Sequence, residues 1–116
     1  LLDKNTFWAK NRNKYCIKRM LQESSVAISL WDRRQMIGFG RALSDGVYRA
    51  VLWDIVIDKN YQNEGCGKLL LNNLLNSKAL KNVEKVYIMT THCQDFYRHQ
   101  GFIDVTQKLL LYQPIF

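Results

Sequence analysis

The stretch from Asp54 to Leu75, DIVIDKNYQNEGCGKLLLNNLL, constrains this chain more than any other. Ile55, Val56 and Ile57 form a β-branched run that stops at the polar Asp58-Lys59-Asn60 break. Gln62-Asn63-Glu64 leads into Gly65-Cys66-Gly67, and leucines at 69, 70, 71, 74 and 75 then recur at the i,i+4 spacing of an amphipathic helix. We therefore expect a strand, a loop, a glycine-broken turn and a helix over 65–77. Two glycines at a helix start allow consecutive backbone N–H groups to converge on one point, with the helix dipole behind them. Such a junction suits a phosphate or pyrophosphate.

Two common phosphate loops do not fit. A P-loop needs GxxxxGK[ST], but Gln62 stands five before Gly67 and Leu69 follows Lys68. A dinucleotide fingerprint needs a third glycine where Leu70 stands. The pattern that does fit is Q-x-x-G-x-G, on Gln62, Gly65 and Gly67. A net charge of +7 favours an anionic ligand or partner, which leaves nucleic acid open at this point. No RNP, KH or zinc-finger pattern accompanies that charge, so we expect no nucleic-acid partner. No apolar run approaches the ~20 residues of a membrane helix, so no membrane partner is expected either. Cys16, Cys66 and Cys93 are odd in number and lack CxxC spacing. They read as free thiols, with no disulfide frame and no metal site. The chain starts Leu-Leu-Asp, without methionine. We expect one domain over 1–116, trimmed at its N-terminus.

Along the chain, 13–23 reads as a helix with Tyr15, Ile17, Met20 and Leu21 on one broad face. Lys10, Arg12, Lys14, Lys18 and Arg19 read as its solvated side rather than a nucleic-acid face. Strands are expected over 26–31 and 36–43, joined as a hairpin, and over 50–57. Gly38 and Gly40 inside the second strand suggest a bulge or a closely packed backbone. A strand over 83–90, a short helix over 93–99 ended by Gly101, and strands over 102–105 and 108–113 complete the expectation.

A second motif stands in that short helix: Asp95-Phe96-Tyr97-Arg98-His99-Gln100-Gly101-Phe102. With the Q-x-x-G-x-G loop and the order of elements, it resembles the GNAT superfamily of N-acetyltransferases, over about residues 12–113. The resemblance implies an α/β (α+β) acyl-CoA N-acyltransferase fold, with a mixed central sheet flanked by helices and the family's N-terminal strand missing. Ile37-Gly38, Arg41 to Asp45, Trp53-Asp54, Tyr61-Gln62 through Lys68, Asp95 to Tyr97 and Tyr112-Gln113-Pro114 look like the plastid and cyanobacterial branch that includes plant chloroplast serotonin N-acetyltransferase. That likeness implies a plastid (chloroplast) stroma location, with the cytoplasm as the alternative.

By this resemblance the cosubstrate is acetyl-CoA, and its pyrophosphate lies on the Asn63, Glu64, Gly65, Cys66, Gly67 and Lys68 segment behind Gln62. Its pantetheine arm pairs with Ile55, Val56 and Ile57, where a bulge turns one backbone N–H toward the thioester oxygen. Many members carry an asparagine that touches the cofactor; here Thr90 or Thr91 fills that slot. Cys66 at the helix start is either an activated thiol or a small side chain chosen for space. Tyr97 is the candidate acid for the departing thiolate, against a purely packed aromatic role. On regular alternation Val51, Trp53, Ile55 and Ile57 share one strand face, and Leu52, Asp54, Val56 and Asp58 the other. Asp54 is then a carboxylate inside an apolar strand, either the general base or a partner for Arg41 or Arg49, with His92 and Asp95 in reserve. Tyr97 and Asp54 are expected to face one cleft. The implied function is acetyl transfer to a primary amine, a small arylalkylamine favoured. Protein lysine or N-terminal acetylation and a non-catalytic CoA-binding module are the alternatives, and a homodimer is the assembly left open.

Overall fold

The computed structural model describes residues 14–90 and 92–114. Among the described residues eight segments follow one another: helix α1 (Lys14–Glu23), strands β1 (Val26–Asp32), β2 (Gln35–Ser44) and β3 (Arg49–Ile57), a 3₁₀ turn (Lys59–Tyr61), helix α2 (Cys66–Leu75), strand β4 (Lys85–Ile88) and helix α3 (Gln94–His99). The sheet order is β1-β2-β3-β4. The first two pairings are antiparallel and β3 pairs with β4 in parallel, so the sheet is mixed, as expected.

Helix α2 packs on β1, β2 and β3. Leu70, Leu71 and Leu74 are wholly buried and meet Ala42, Ala50, Leu52, Leu80 and Tyr97 in one cluster. Each such leucine contributes about 1.5–3 kcal/mol through the apolar surface it removes from water. The close approach of α2 explains a glycine in β2. A Cβ built on Gly40 would stand 3.0 Å from Leu74 Cδ1 and 3.2 Å from Ile55 Cγ1. Helix α1 is less deeply seated: Ile17, Met20 and Leu21 are half-buried, while Tyr15 is 69% exposed and off the apolar face expected for it.

Three expectations need correction. Regular alternation along β3 fails at Asp54. Gly38 and Phe39 pair with Ile57 and Val56, but Arg41 and Ala42 pair with Trp53 and Leu52. One extra residue therefore lies on β3 opposite Gly40, and Asp54 has a left-handed φ of 57°. Such a β-bulge shifts side-chain parity by one. Leu52, Ile55 and Ile57 consequently share the face toward α2, and Ile55 does not share a face with Trp53. Second, β4 covers four residues rather than the expected 83–90. Its register with β3 ends at Leu52↔Ile88, followed by one long bond from Met89 N to Leu52 O at 3.5 Å. Beyond that point the bulge carries β3 away from its neighbour. Third, 102–105 and 108–113 form no strand. Ile103, Leu109, Leu110, Leu111 and Tyr112 are 73% to 88% exposed, so these segments lack the cross-strand partners that convert an apolar run into a strand.

Candidate functional site

The site begins where β3 and β4 part. From Trp53 to Ile57, β3 keeps its pairing with β2 but has no register partner in β4. Its outer edge therefore offers backbone donors and acceptors to an extended ligand.

The chain leaves β3 through Asp58, which is buried and whose backbone N–H donates to Ile37 O at 2.7 Å. Asp58 Oδ1 accepts from Asn60 N at 2.9 Å and so starts the 3₁₀ turn. Tyr61 braces that turn against the β1–β2 hairpin by donating to Asp32 Oδ2 at 2.6 Å. The Asp32 carboxylate, which favours the protonated phenol, raises the Tyr61 pKa. Gln62 Nε2 donates to Ile57 O at 3.0 Å, so this residue of the loop motif ties the loop back to the strand end. Its side chain acts as a strut in the loop. The Asp-x-Asn spacing of 58–60 carried a readable signal for this turn; the long-range Tyr61–Asp32 bond carried none.

Asn63 and Gly65 both take left-handed backbone, at φ 66° and 83°. A Cβ at Gly65 would meet nothing within 4 Å, so glycine is needed there for its backbone and the space above it is open. Gly65 caps α2, whose first turn is closed by Leu69 N donating to Gly65 O at 3.0 Å. The amides before Leu69 have no helical carbonyl to donate to. This arrangement of left-handed turns and helix-start amides suits an anion. Glu64 and Lys68 are exposed, and Cys66 is half-buried in the first helical turn. Gly67 has a different reason to be glycine: its Cβ would lie 3.3 Å from Phe96 Cζ, so the start of α2 rests directly on α3.

Tyr97 is buried in the α2-side cluster, edge-on to Phe96 and Phe102 with ring centroids 5.1 and 5.8 Å away. Burial in the first place, and the neighbouring Cys93 in the second, push its phenol up to about 12. A phenol so placed keeps its proton at neutral pH, as an acid must.

Asp54 is turned elsewhere. Its Oδ2 accepts from Arg41 Nε at 2.7 Å, and the two side chains are 17% and 15% exposed. Arg41 lies between Gly40 and Ala42, which face α2, so it projects from the opposite side of β2. The structure thus sets Tyr97 and Asp54 near the same splay but on opposite sides of the sheet, in contrast to the single shared cleft expected. Trp53 pairs across from Arg41, and its buried Nε1 has no hydrogen-bond partner among the described residues. Thr90 Oγ1 donates to the His92 carbonyl and accepts from His92 N at 3.2 Å, which folds that hydroxyl into a local turn. Thr91 lies outside the described residues. His92 and Asp95 are exposed, and Asp95 pairs with Arg98 at 2.9 Å. Among the described residues no group of His, Cys, Asp or Glu could hold a metal, and no helix is long and apolar enough to cross a membrane.

Comparison with known proteins agrees with the fold. The acetyltransferase (GNAT) domain family matches residues 6–104. An uncharacterised N-acetyltransferase ycf52 of Porphyra purpurea is 35% identical over 104 residues, covering 83% of this chain and 58% of that protein. The chloroplastic GCN5-related N-acetyltransferase 1 of Arabidopsis thaliana is 32% identical over 71 residues, covering 60% of this chain and 36% of that protein. The chain thus spans only about a third to a little over half the length of these two relatives. A crystal structure of a putative GNAT-family acetyltransferase from Xanthomonas campestris pv. campestris shares the fold, with a TM-score of 0.80 at 20% identity over 94% of this chain and 78% of that one.

Proposed function

The chain belongs to the GNAT family of acetyltransferases, and from that premise we propose that it transfers an acetyl group from acetyl-CoA to a primary amine. The observation that carries this reading is the pairing of an open β3 edge beyond Leu52 with a left-handed glycine cap on the adjoining helix. The edge at Ile55, Val56 and Ile57 suits the peptide-like pantetheine arm, and the 63–68 amides suit the pyrophosphate. The open space at Gly65 is compatible with a bulky anion there.

In the reaction, acetyl-CoA supplies the acetyl group as a thioester. A C–N bond forms as the amine attacks the carbonyl, and the C–S bond breaks. Tyr97 gives the departing sulfur a proton, a role consistent with a phenol that stays protonated up to about pH 12. Asp54, on the other side of the sheet from Tyr97, receives the amine's proton through water at the strand splay while its Oδ2 stays bonded to Arg41. The preferred acceptor is a small arylalkylamine. A relative named as chloroplastic supports a plastid location. The test is release of free CoA with a panel of arylalkylamines and of lysine and N-terminal peptides. We expect turnover with the small amines. Turnover only with peptides would replace the acceptor class. Acetyl-CoA binding without turnover on either set would make the domain a CoA-binding module.

A further inference from the structure

Asp54 adopts a backbone conformation that a side-chain-bearing residue rarely holds unaided. It sits in the bulge opposite Gly40, with no register partner in β4 to fix it. What holds it is a side chain from the neighbouring strand. Arg41 Nε donates to Asp54 Oδ2 at 2.7 Å in a nearly buried pair. The other arm of the guanidinium reaches the end of α1, where Arg41 Nη1 lies 3.4 Å from Ser24 Oγ. Ser24 is itself fixed, donating from Oγ to Met20 O at 2.9 Å. One planar group therefore spans from the last turn of α1, across β2, to the bulge in β3. A guanidinium suits this better than an ammonium, because its fork fixes direction as well as charge.

We propose that Arg41 is a positioning residue of this site: it pins Asp54 in the left-handed bulge and thereby aims the backbone of 54–57 at the reacting thioester. The inference rests on the reading of that edge as the thioester-binding strand, and it concerns how the edge is held. A displacement of about 1 Å at a reacting centre costs on the order of 100-fold in rate. The pyrophosphate loop, fixed separately by Gln62 and Asp58, does not depend on Arg41.

The test uses Arg41→Gln and Arg41→Lys in the full chain. Two readouts are taken: steady-state kinetics with acetyl-CoA, and the φ-dependent amide coupling of Asp54 by NMR without ligand. Arg41→Gln should lower kcat by about 10–100-fold with the KM for acetyl-CoA within about twofold, and Asp54 should move toward extended backbone. Arg41→Lys, which keeps charge without the fork, should fall between parent and Gln and serves if the Gln variant does not fold. Asp54→Asn separates the two readings. It keeps an oxygen for Arg41 and a residue type that tolerates left-handed backbone, so the NMR signature should persist while the activity optimum moves to higher pH. Parent-like kcat in Arg41→Gln, or a left-handed Asp54 that survives it, would overturn the positioning role. A parental pH profile in Asp54→Asn would overturn only the proton-transfer assignment. Absence of turnover in the parent chain would remove the functional reading, and the NMR arm would still decide whether Arg41 pins the bulge.

Discussion

The two halves of β3 share one backbone and have opposite surroundings. Arg49 to Leu52 is flanked by β2 on one side and β4 on the other, with Ala50 and Leu52 in the core. Trp53 to Ile57 keeps only β2. The first half is held by two ladders and by apolar burial. The second is held by one ladder, one bulge and one ion pair. A strand can thus be scaffold for part of its length and leave an open edge over the rest, provided something at the boundary redirects the backbone. Here that something is a single inserted residue.

This contrast can be broken in several ways, and the largest effect is expected at a residue that serves both sides. Tyr97 packs its ring in the core, and under the proposed function its hydroxyl is the acid. Tyr97→Phe should leave the melting temperature nearly unchanged and slow acetyl transfer by about 10²–10⁴-fold. Parental turnover in this variant would remove the acid assignment. Next comes the scaffold half itself. Leu52→Ala should cost about 2–5 kcal/mol in urea unfolding. Val56→Ala, in the half that has lost β4, should cost only about 1 kcal/mol. Equal losses would mean that the two halves are not distinct. A smaller effect is expected at the loop. Gly65→Val meets no neighbour, so its penalty is the left-handed backbone alone. It should weaken acetyl-CoA binding about tenfold in calorimetry without unfolding the chain; unchanged affinity would disconnect this loop from the ligand.

The smallest effect is a pH dependence. The folded Tyr97 phenol titrates near 12, above its ordinary value of 10.0. Between these values the unfolded chain releases that proton and the folded chain keeps it. Stability from this group is therefore fully present below about pH 10 and is lost as pH rises toward 12. Discounted for solvent screening, the loss is about 1 kcal/mol. Parent and Tyr97→Phe should differ by that amount in alkaline denaturation, the other tyrosines contributing equally to both. Identical alkaline curves would mean that the phenol is not in a low-dielectric setting.

How much of this was readable beforehand depends on the range of the interaction. The helix expected at 65–77 and found at 66–75 followed from leucine spacing, the hairpin from its turn residues, and the glycine cap from the loop motif, all within a few residues of one another. The family resemblance implied a bulge at 55–57 and the glycines of β2 hinted at one, but neither placed it at Asp54, and regular alternation along the strand hid its effect on parity. Arg41 was visible as one of two candidate partners for Asp54; choosing between it and Arg49 required the register with β2. The expected strands at 102–105 and 108–113 had the right residues but need a neighbouring edge. Local composition cannot supply one.

Gly67 and Phe96 carry a consequence for how the parts move together. The missing methyl at 67 leaves just enough thickness for the Phe96 ring, and that ring in turn meets Tyr97 edge-on at 5.1 Å. Phe96 is therefore a shim between the first turn of α2 and the phenol. Adding one carbon at 67 would have to shift the ring by a few tenths of an ångström, and so would a ligand pressing α2 inward. The first turn of α2 and the Tyr97 ring are then mechanically linked through the width of a single benzene ring, so under the proposed function a ligand at the loop and the aim of the hydroxyl would be adjusted together.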